Sequence, residues 1–281
     1  MLFSCEKSIV PFVGQHESKL VINAEIQPNK PIYLFVSTSV GLHDGTEPFR
    51  PEDFEKFKAN IVVNGVTESP EELLYFEKEK DDGGGLVWRT RRSFSTEEQQ
   101  NLELNALLIH EDFTLTASSN TQIPRQLKID SASFIGKEAL SGQDKHFYRV
   151  EIEIQEEELG LYENLHLIAS SKGQDLDLSH FGENQAAIEY PHHHYGVLIH
   201  GEYLYSNVLS FLIESDVELE NAEIELRNCT DSYIDYHVSL SRSYASQNSP
   251  FNEPTLNYTN ISNGLGVFSA FASSISEINF Q

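Results

Sequence analysis

The sequence is poor in positive charge, and this shortage limits what the protein can bind. Only 19 Lys and Arg residues stand against 44 Asp and Glu residues, which gives a formal net charge of −25. Such a surface repels the phosphate backbones of nucleic acids, and no basic patch interrupts it. Nucleic-acid binding is therefore disfavoured, and the acidity by itself indicates a well-solvated surface.

Long apolar segments are missing as well. No apolar run approaches the ~20 residues that a membrane-spanning helix needs. The hydrophobic content of 39%, with 17 Phe and 12 Tyr, is nevertheless enough to build cores, so the chain is expected to fold. With one Met and one Trp beside many β-branched and aromatic residues, the composition favours sheet over helix.

Cysteine is scarce, and its two examples are Cys5 and Cys229. One disulfide is possible, and the sequence leaves open whether the two residues meet. The segment Leu2-Phe3-Ser4-Cys5 has the form of a bacterial lipobox, with an aliphatic residue three positions before the cysteine and a small one directly before it. We therefore predict that Cys5 is lipid-modified and that the native gene encodes a basic and an apolar segment ahead of Leu2. A chance match is the alternative.

Alternating apolar residues predict an all-β protein. The clearest strands are Leu20–Ile26 and Tyr148–Ile154, in which every second residue is apolar. Thr121-Gln122-Ile123-Pro124 ends the first group of strands, and we place a domain boundary there. The predicted organisation is a tether over residues 1–18, an immunoglobulin- or transthyretin-like β-sandwich over 19–124, and a second β-sandwich domain over 125–281 with one short helix near 232–245.

Three segments give sharper local expectations. Ile32–Val36 is a continuous apolar run too short for a helix, which predicts a strand covered on both faces. The pattern weakens between Lys172 and Tyr190, which indicates a long functional or mobile loop. In the helix, Ser232 with Asp235 three residues later resembles a capping box. A helical stripe is expected to pack on a sheet rather than to bind a partner, and it consists of Tyr233, Tyr236, His237, Leu240 and Tyr244.

The C-terminal end carries turn signals. Pro250-Phe251-Asn252-Glu253-Pro254 is predicted to be a loop, because a proline at each end prevents a helix from continuing. Asn263-Gly264 predicts a tight turn between an edge strand and a final strand, with both residues at positive φ. Gly266 lies between two apolar residues, which indicates a bulge or a close approach of two backbones.

The candidate binding residues lie around a run of histidines. On an extended backbone His192 and His194 project to the same face, about 7 Å apart at Cα. Together with a third imidazole from His200 or His180 they could form a zinc-type site, but no His-Glu-x-x-His or Cys-x-x-Cys motif supports that chemistry. We therefore expect a ligand- or partner-contacting surface in preference to a metal site. Its proposed residues are Tyr190, His192, His194, Tyr195 and His200.

Motifs for catalysis are absent from the sequence. No Gly-x-Ser-x-Gly elbow occurs, and acidic neighbours of Cys229 should raise its pKa rather than activate it. Gly83-Gly84-Gly85 lacks the Lys-Ser/Thr ending and the following helix of a phosphate-binding loop, so a flexible hairpin tip is expected there. We expect neither an enzyme nor a bound cofactor.

Several of these segments together resemble a known family. They are Cys5, Leu20–Ile26, Thr121–Pro124, Ser232–Tyr236, Pro250–Pro254 and Asn260–Phe268, of which the last two are the most specific. In them the chain is similar to domain-of-unknown-function family 4249, a family of Bacteroidetes outer-membrane lipoproteins typically encoded beside TonB-dependent receptors. The resemblance implies an export signal, a lipid anchor at Cys5 and an envelope location, and it supplies no catalytic residues.

The expected function follows from this resemblance rather than from single residues. The chain is expected to be an outer-membrane accessory lipoprotein, held at the membrane by its lipid anchor, that binds a TonB-dependent transporter or the transporter's substrate. Two alternatives stay open. One is a metal-dependent hydrolase built on His192, His194 and His200, and the other is a structural or adhesive surface protein without a small ligand.

Overall fold

Strands dominate the computed structural model, which describes residues 17–39, 54, 56–63, 77–80, 86–90, 100–110, 113–138, 145–155, 164–180, 187–189, 196–201, 206–247 and 257–281. In chain order the strands are β1 (Leu20–Ile26), β2 (Tyr33–Thr38), β3 (Phe57–Val63), β4 (Glu77–Lys80), β5 (Leu86–Arg89), β6 (Asn101–Ile109), β7 (Thr114–Gln122), β8 (Ile129–Glu138), β9 (His146–Ile154), β10 (Asn164–Ser171), β11 (Gln174–His180), β12 (Ala187–Glu189), β13 (Val197–His200), β14 (Val208–Ser215), β15 (Asn221–Cys229) and β16 (Gly264–Asn279). The helix α1 spans Asp231–Gln247.

The described strands form two sheets in a sandwich-like arrangement, so the all-β prediction with one helix is confirmed. The larger sheet has 13 strands and runs β4-β5-β2-β1-β16-β15-β10-β11-β14-β9-β8, with β13 also paired to β10 and β12 paired to β13. The smaller sheet has the order β3-β6-β7. Among the described helical residues, none form a helix long and apolar enough to cross a membrane.

The first hydrophobic core lies between the smaller sheet and β1, β2 and β16. Alternation on β1 sends Leu20, Ile22, Ala24 and Ile26 to this core, as the sequence predicts. The facing strand β6 contributes Leu102, Leu104 and Leu108 by the same period of two. The closing residues of this core come from the other end of the chain, and they are Ile261, Phe268 and Ala270.

The second core is enclosed by the rest of the larger sheet. All the apolar residues of β9 at the predicted positions are fully buried there: Tyr148, Val150, Ile152 and Ile154. The sheet curls so that β8 lies against β16, and Phe280 then contacts both Tyr148, at 4.4 Å between ring centroids, and Phe134, at 5.4 Å. On either side of Pro124, Ile123 belongs to the first core and Leu127 to the second. The division into two domains at Pro124 stays a prediction.

Strand β16 links the two cores because it changes partner along its 16 residues. Its first part pairs in parallel with β1, from Leu20 opposite Gly264 to Ile26 opposite Ala270. Its second part pairs antiparallel with β15, from Phe271 to Asn279. The strand expected at the end of the chain is therefore an interior strand that reaches well beyond Phe268.

The turn into β16 differs in one detail from the prediction. Asn263 holds the positive φ of 58°, and Gly264 is the first residue of the strand, so the assignment of positive φ to Gly264 was wrong. Gly264 is required for space, since a Cβ there would lie 2.9 Å from the Leu20 carbonyl oxygen. Ahead of the turn, the Asn260 amide accepts a hydrogen bond from Phe268 N at 2.9 Å and donates one to Phe268 O at 2.8 Å, as a strand partner would.

The predicted close backbone approach at Gly266 is confirmed. Its φ is 101°, and a Cβ built on it would lie 2.2 Å from the carbonyl oxygen of Ile22 on β1. Beside it, the Asn23 side chain accepts a hydrogen bond from Val267 N at 3.2 Å. A side chain at position 266 would therefore push β1 away from β16.

Three local predictions were wrong. Strand β2 is covered on one face only, because Phe35 is 52% exposed while Leu34 and Val36 are buried. The stretch expected to be a loop after Lys172 contains β11 and β12, which complete the sheet beside β14 and β13. Ser232 is the second residue of α1 and so does not cap it; the helix begins after Thr230.

Candidate functional site

Helix α1 packs on the outer face of the larger sheet. Two of its own residues, Tyr233 and Ile234, are fully buried between the helix and the sheet, in a cluster that includes Leu198, Cys229 and Phe271. From the predicted stripe, the Tyr233 ring centroid lies 5.5 Å from that of Phe271 on β16, and His237 Nε2 lies 2.8 Å from Glu25 Oε1 on β1. The stripe therefore packs against the sheet at these two residues.

A row of polar residues crosses the sheet under the helix. Strand register places His166 of β10 beside Arg227 of β15, and Arg227 beside Ser273 of β16. Side chains at such positions share one face of the sheet. We call this row, with Tyr233 above it and Glu225 beside it, the polar seam.

The hydroxyl of Tyr233 joins two members of the polar seam. Arg227 Nη1 donates to it at 3.1 Å, and His166 Nδ1 lies 2.8 Å away. A guanidinium has no acceptor, so the phenol oxygen accepts from Arg227, while the donor between Tyr233 Oη and His166 Nδ1 is set by the imidazole tautomer. Burial raises the pKa of the Tyr233 phenol well above its usual value, so the hydroxyl stays protonated.

Arg227 and Glu225 form a two-pronged ion pair. Arg227 Nε and Nη2 donate to the two carboxylate oxygens of Glu225 at 2.9 and 2.8 Å, while Ser273 Oγ donates to the same carboxylate at 2.5 Å. The guanidinium also lies 4.4 Å from the Phe271 ring centroid, a cation–π contact. Burial opposes both charges, yet their mutual hydrogen bonds hold the pKa of Glu225 below and that of Arg227 above the ordinary values.

A second group of polar residues surrounds the start of α1. Asn164 Nδ2 donates to Asp231 Oδ1 at 2.7 Å, and the side-chain oxygen Oδ1 of Asn164 lies 3.1 Å from His200 Nδ1. Since an amide oxygen only accepts, His200 donates through Nδ1. Burial, followed by the charge of Asp231, raises the pKa of Asp235 one turn further on.

Of the residues proposed from sequence, the structure places His200. It is half-buried at the end of β13, where it contacts Asn164. Strands β12 and β13 pair antiparallel with Glu189 opposite Val197 and Ala187 opposite Ile199, and His200 follows as the last residue of β13. Cys5, Tyr190, His192, His194 and Tyr195 lie outside the described residues, so these assignments stay predictions.

The part of the chain that the structure describes contains neither a cluster of metal ligands nor an activated cysteine. No group of three or more His, Cys, Asp or Glu residues there could hold a metal ion. Cys229 is a free, fully buried thiol, and burial raises its pKa well above the usual value, in the predicted direction. A neutral, enclosed thiol is a poor nucleophile.

The polar seam was not found from sequence. The alternation of apolar residues along β15 indicates only that Glu225 and Arg227 lie on its outward face. It gave no sign that a helix covers that face or that His166 lies on the neighbouring strand. The available signal was Tyr233 in the helical stripe, since a buried tyrosine needs a partner for its hydroxyl.

These features define a class of protein: an all-β scaffold with a helix held on its outer face, where Tyr233 of the helix accepts a hydrogen bond from Arg227 of a largely buried ion pair. The chain belongs to the family described as Domain of unknown function (DUF4249), whose model matches residues 6–276. The predicted membership of this family is thereby confirmed. No curated protein matches the chain.

Proposed function

We propose that this chain is a cell-envelope accessory lipoprotein, anchored at the outer membrane through Cys5, that binds a TonB-dependent transporter and serves nutrient uptake. The observation that carries the proposal is the family match over residues 6–276, because it covers every segment on which the resemblance rests except Cys5. The receptor partnership and the Bacteroidetes setting come from that resemblance.

The geometry of the polar seam supports a binding role over a catalytic one. Its ion pair, phenol and imidazole are bonded to one another, and the side chains of Arg227 and Glu225 are each only 20% exposed. Groups committed to such internal bonds fix a helix to a sheet and hold the scaffold rigid. A rigid β-scaffold presents binding residues on its connections, of which residues 190–195, between β12 and β13, are the ones proposed from sequence.

The test is capture of the partner from native membranes. The protein, expressed from its full native gene with an affinity tag at the C-terminal end, is recovered from detergent-solubilised outer membranes after brief cross-linking. We expect a TonB-dependent receptor to be enriched over a control purification of an unrelated lipoprotein with the same tag. The proposed partnership would be rejected if the cells express a TonB-dependent receptor and the protein is nevertheless recovered without enrichment of that receptor.

A further inference from the structure

A cleft opens where the segment between β7 and β8 passes β16. It has a volume of about 720 Å³ and is lined by Arg125, Gln126, Lys128, Gln155, Ser274 and Ile275, among others. Ligand pockets commonly measure about 300–1,000 Å³. The cleft adjoins the polar seam, since Ile275 is the register partner of Glu225 and Gln126 donates to the Ser273 carbonyl. It is a separate surface from the buried bonds of Tyr233 and His166.

Hydrogen bonds hold the wall of the cleft in place. Asn228 Nδ2 donates to the Arg125 carbonyl at 3.0 Å, and Gln126 Nε2 donates to the Ser273 carbonyl at 2.8 Å. Ser274 Oγ donates to the Leu127 carbonyl, and Gln155 N donates to the Lys128 carbonyl. A wall tied at four successive residues is formed before any ligand arrives, so binding there costs little ordering of the protein.

The opposite wall is an edge of the larger sheet. Pairing between β1 and β16 ends at Ala270, and among the described strands none takes the place of β1 beside the rest of β16. Phe280 N donates to Glu220 O, so the backbone of Phe280 points toward β15. The Ser273 carbonyl points to the opposite side of β16, where it accepts a hydrogen bond from Gln126 Nε2. Because backbone direction alternates along a strand, Ile275 turns its N–H and C=O toward the cleft, like Ser273.

The side chains at this edge add one apolar and two cationic groups. Ile275 is 62% exposed, so its apolar side chain is open to a partner at this edge. Arg125 and Lys128 are exposed on the facing segment, within a chain whose net charge is −25. An anionic partner is repelled by most of such a surface and can approach only where cations are grouped. Glu277 lies two residues beyond Ile275 on the same face of β16, so the strand carries a negative charge on that side of the cleft.

We propose that this cleft binds an extended, acidic peptide segment of a partner protein. The peptide pairs its backbone with Ile275 as an added strand, packs an apolar side chain on the Ile275 side chain, and places a carboxylate between Arg125 and Lys128. Backbone pairing at a sheet edge supplies affinity in this mode, and the side-chain positions supply selectivity.

The experiment uses purified protein and labelled pentapeptides at 0.15 M salt, with fluorescence anisotropy as the measurement. One peptide alternates valine and glutamate, a second alternates valine and lysine, and a third repeats the acidic sequence with N-methylated backbone amides. We expect saturable binding of the acidic peptide and loss of binding on N-methylation, since methylation removes the donors that pair with the edge.

Variants separate the cleft from the general surface. The double change Arg125→Ala with Lys128→Ala should weaken acidic-peptide binding by about tenfold or more, because two charge-assisted contacts are lost. The matched control, Lys58→Ala with Arg242→Ala, removes two exposed cations elsewhere and should leave binding unchanged. Binding of the lysine peptide, which any acidic patch can attract, should not weaken in either variant.

A backbone variant tests the pairing itself. The N–H of Ile275 points away from β15, so Ile275→Pro removes no hydrogen bond of the sheet and should leave the melting temperature near that of wild type. It should abolish acidic-peptide binding, while Ile275→Thr, which keeps the N–H, should retain most of it. Equal binding by wild type and the Arg125/Lys128 double variant, or no binding at millimolar peptide, would overturn the proposal. Should Ile275→Pro unfold, the double variant alone decides.

Discussion

Gly266 is the single residue at which β1 and β16 depend most on the absence of a side chain. With φ at 101° and the Ile22 carbonyl oxygen 2.2 Å from a built Cβ, Gly266→Ala meets both backbone strain and a backbone clash. We expect a loss of about 3 kcal/mol in the free energy of unfolding, measured by urea denaturation.

Gly136 provides the matched control for that measurement. A Cβ at Gly136 meets nothing within 4 Å, and the residue lies in the edge strand β8. Gly136→Ala should therefore change stability by less than about 1 kcal/mol. If the two alanine variants were equally stable, the close contact at Gly266 would be disproved.

The Glu225–Arg227 pair should make stability depend on pH. The folded-state pKa of Glu225 is lowered, so its contribution is present above the unfolded pKa and is lost as the pH falls through the folded pKa. Glu225→Gln should cost about 2 kcal/mol at pH 7, because Arg227 loses its partner under the helix. The difference between variant and wild type should shrink below about pH 4.

Urea unfolding of both proteins at several pH values measures this difference. The comparison with wild type removes the effect of the other carboxylates, which both proteins share. Ser273→Ala, which removes a weaker donor to the same carboxylate, should give a smaller loss of the same sign. A stability difference that does not vary with pH would show that Glu225 is not ionised against Arg227.

The histidines proposed from sequence should differ in how much stability is lost when they are changed to alanine. The half-buried His200 donates to Asn164, so His200→Ala should cost about 1 kcal/mol of stability. His192 and His194 were predicted to face a ligand or partner, and their double change to alanine should leave stability within about 0.5 kcal/mol. The double variant should nevertheless weaken capture of the receptor. A large loss of stability on changing both would mean that they are core residues.

At the scale of whole elements, strands with a strict period of two were predicted well. β1 and β9 send every second residue to a core, and β10, β13, β14 and β15 lie where their apolar patterns indicate. Strand β6 carries the same period at Leu102, Leu104 and Leu108, yet it was overlooked. β11 was mistaken for a loop because its few apolar residues stand among aspartates, serine and histidine.

What the sequence could not supply was which strands lie side by side. The polar seam exists because β10, β15 and β16 are neighbours, although His166 and Ser273 are far apart in the chain. The exposed face of β2 was missed for a related reason, since a run of apolar residues does not tell whether a second layer covers it. Local patterns give the faces of an element, and long-range pairing decides what each face contacts.

At the scale of the molecule, the first core depends on the C-terminal end. Ile261, Phe268 and Ala270 belong to that core, and β1 has β16 as one of its two neighbours. We therefore expect a fragment of residues 19–124 to remain unfolded by circular dichroism. Adding a peptide of residues 257–281 in excess should restore β structure, whereas a peptide of the same composition in scrambled order should not. A fragment that folds cooperatively alone would show that β16 is dispensable for the first core.

The proposed anchor is tested on the whole protein in its native host. Replacing Cys5 with Ala removes the only atom to which the lipid can be attached at that position, so the variant should move from the membrane to the soluble fraction. Ser4→Ala, which keeps a small residue before the cysteine, should leave the protein membrane-bound. Unchanged membrane association of the Cys5 variant would reject the lipid anchor.

The partner change within β16 also bears on how the chain is made. Asn23 and Val267 are 244 positions apart and are hydrogen-bonded. A ribosome adds about 5–20 residues per second, so the strands of the first core wait many seconds for their neighbour after they have been synthesised. Parallel pairing at this separation is a slow step in folding. Only a complete chain can close either core, and a product that terminates early keeps β1 exposed to chaperones and proteases.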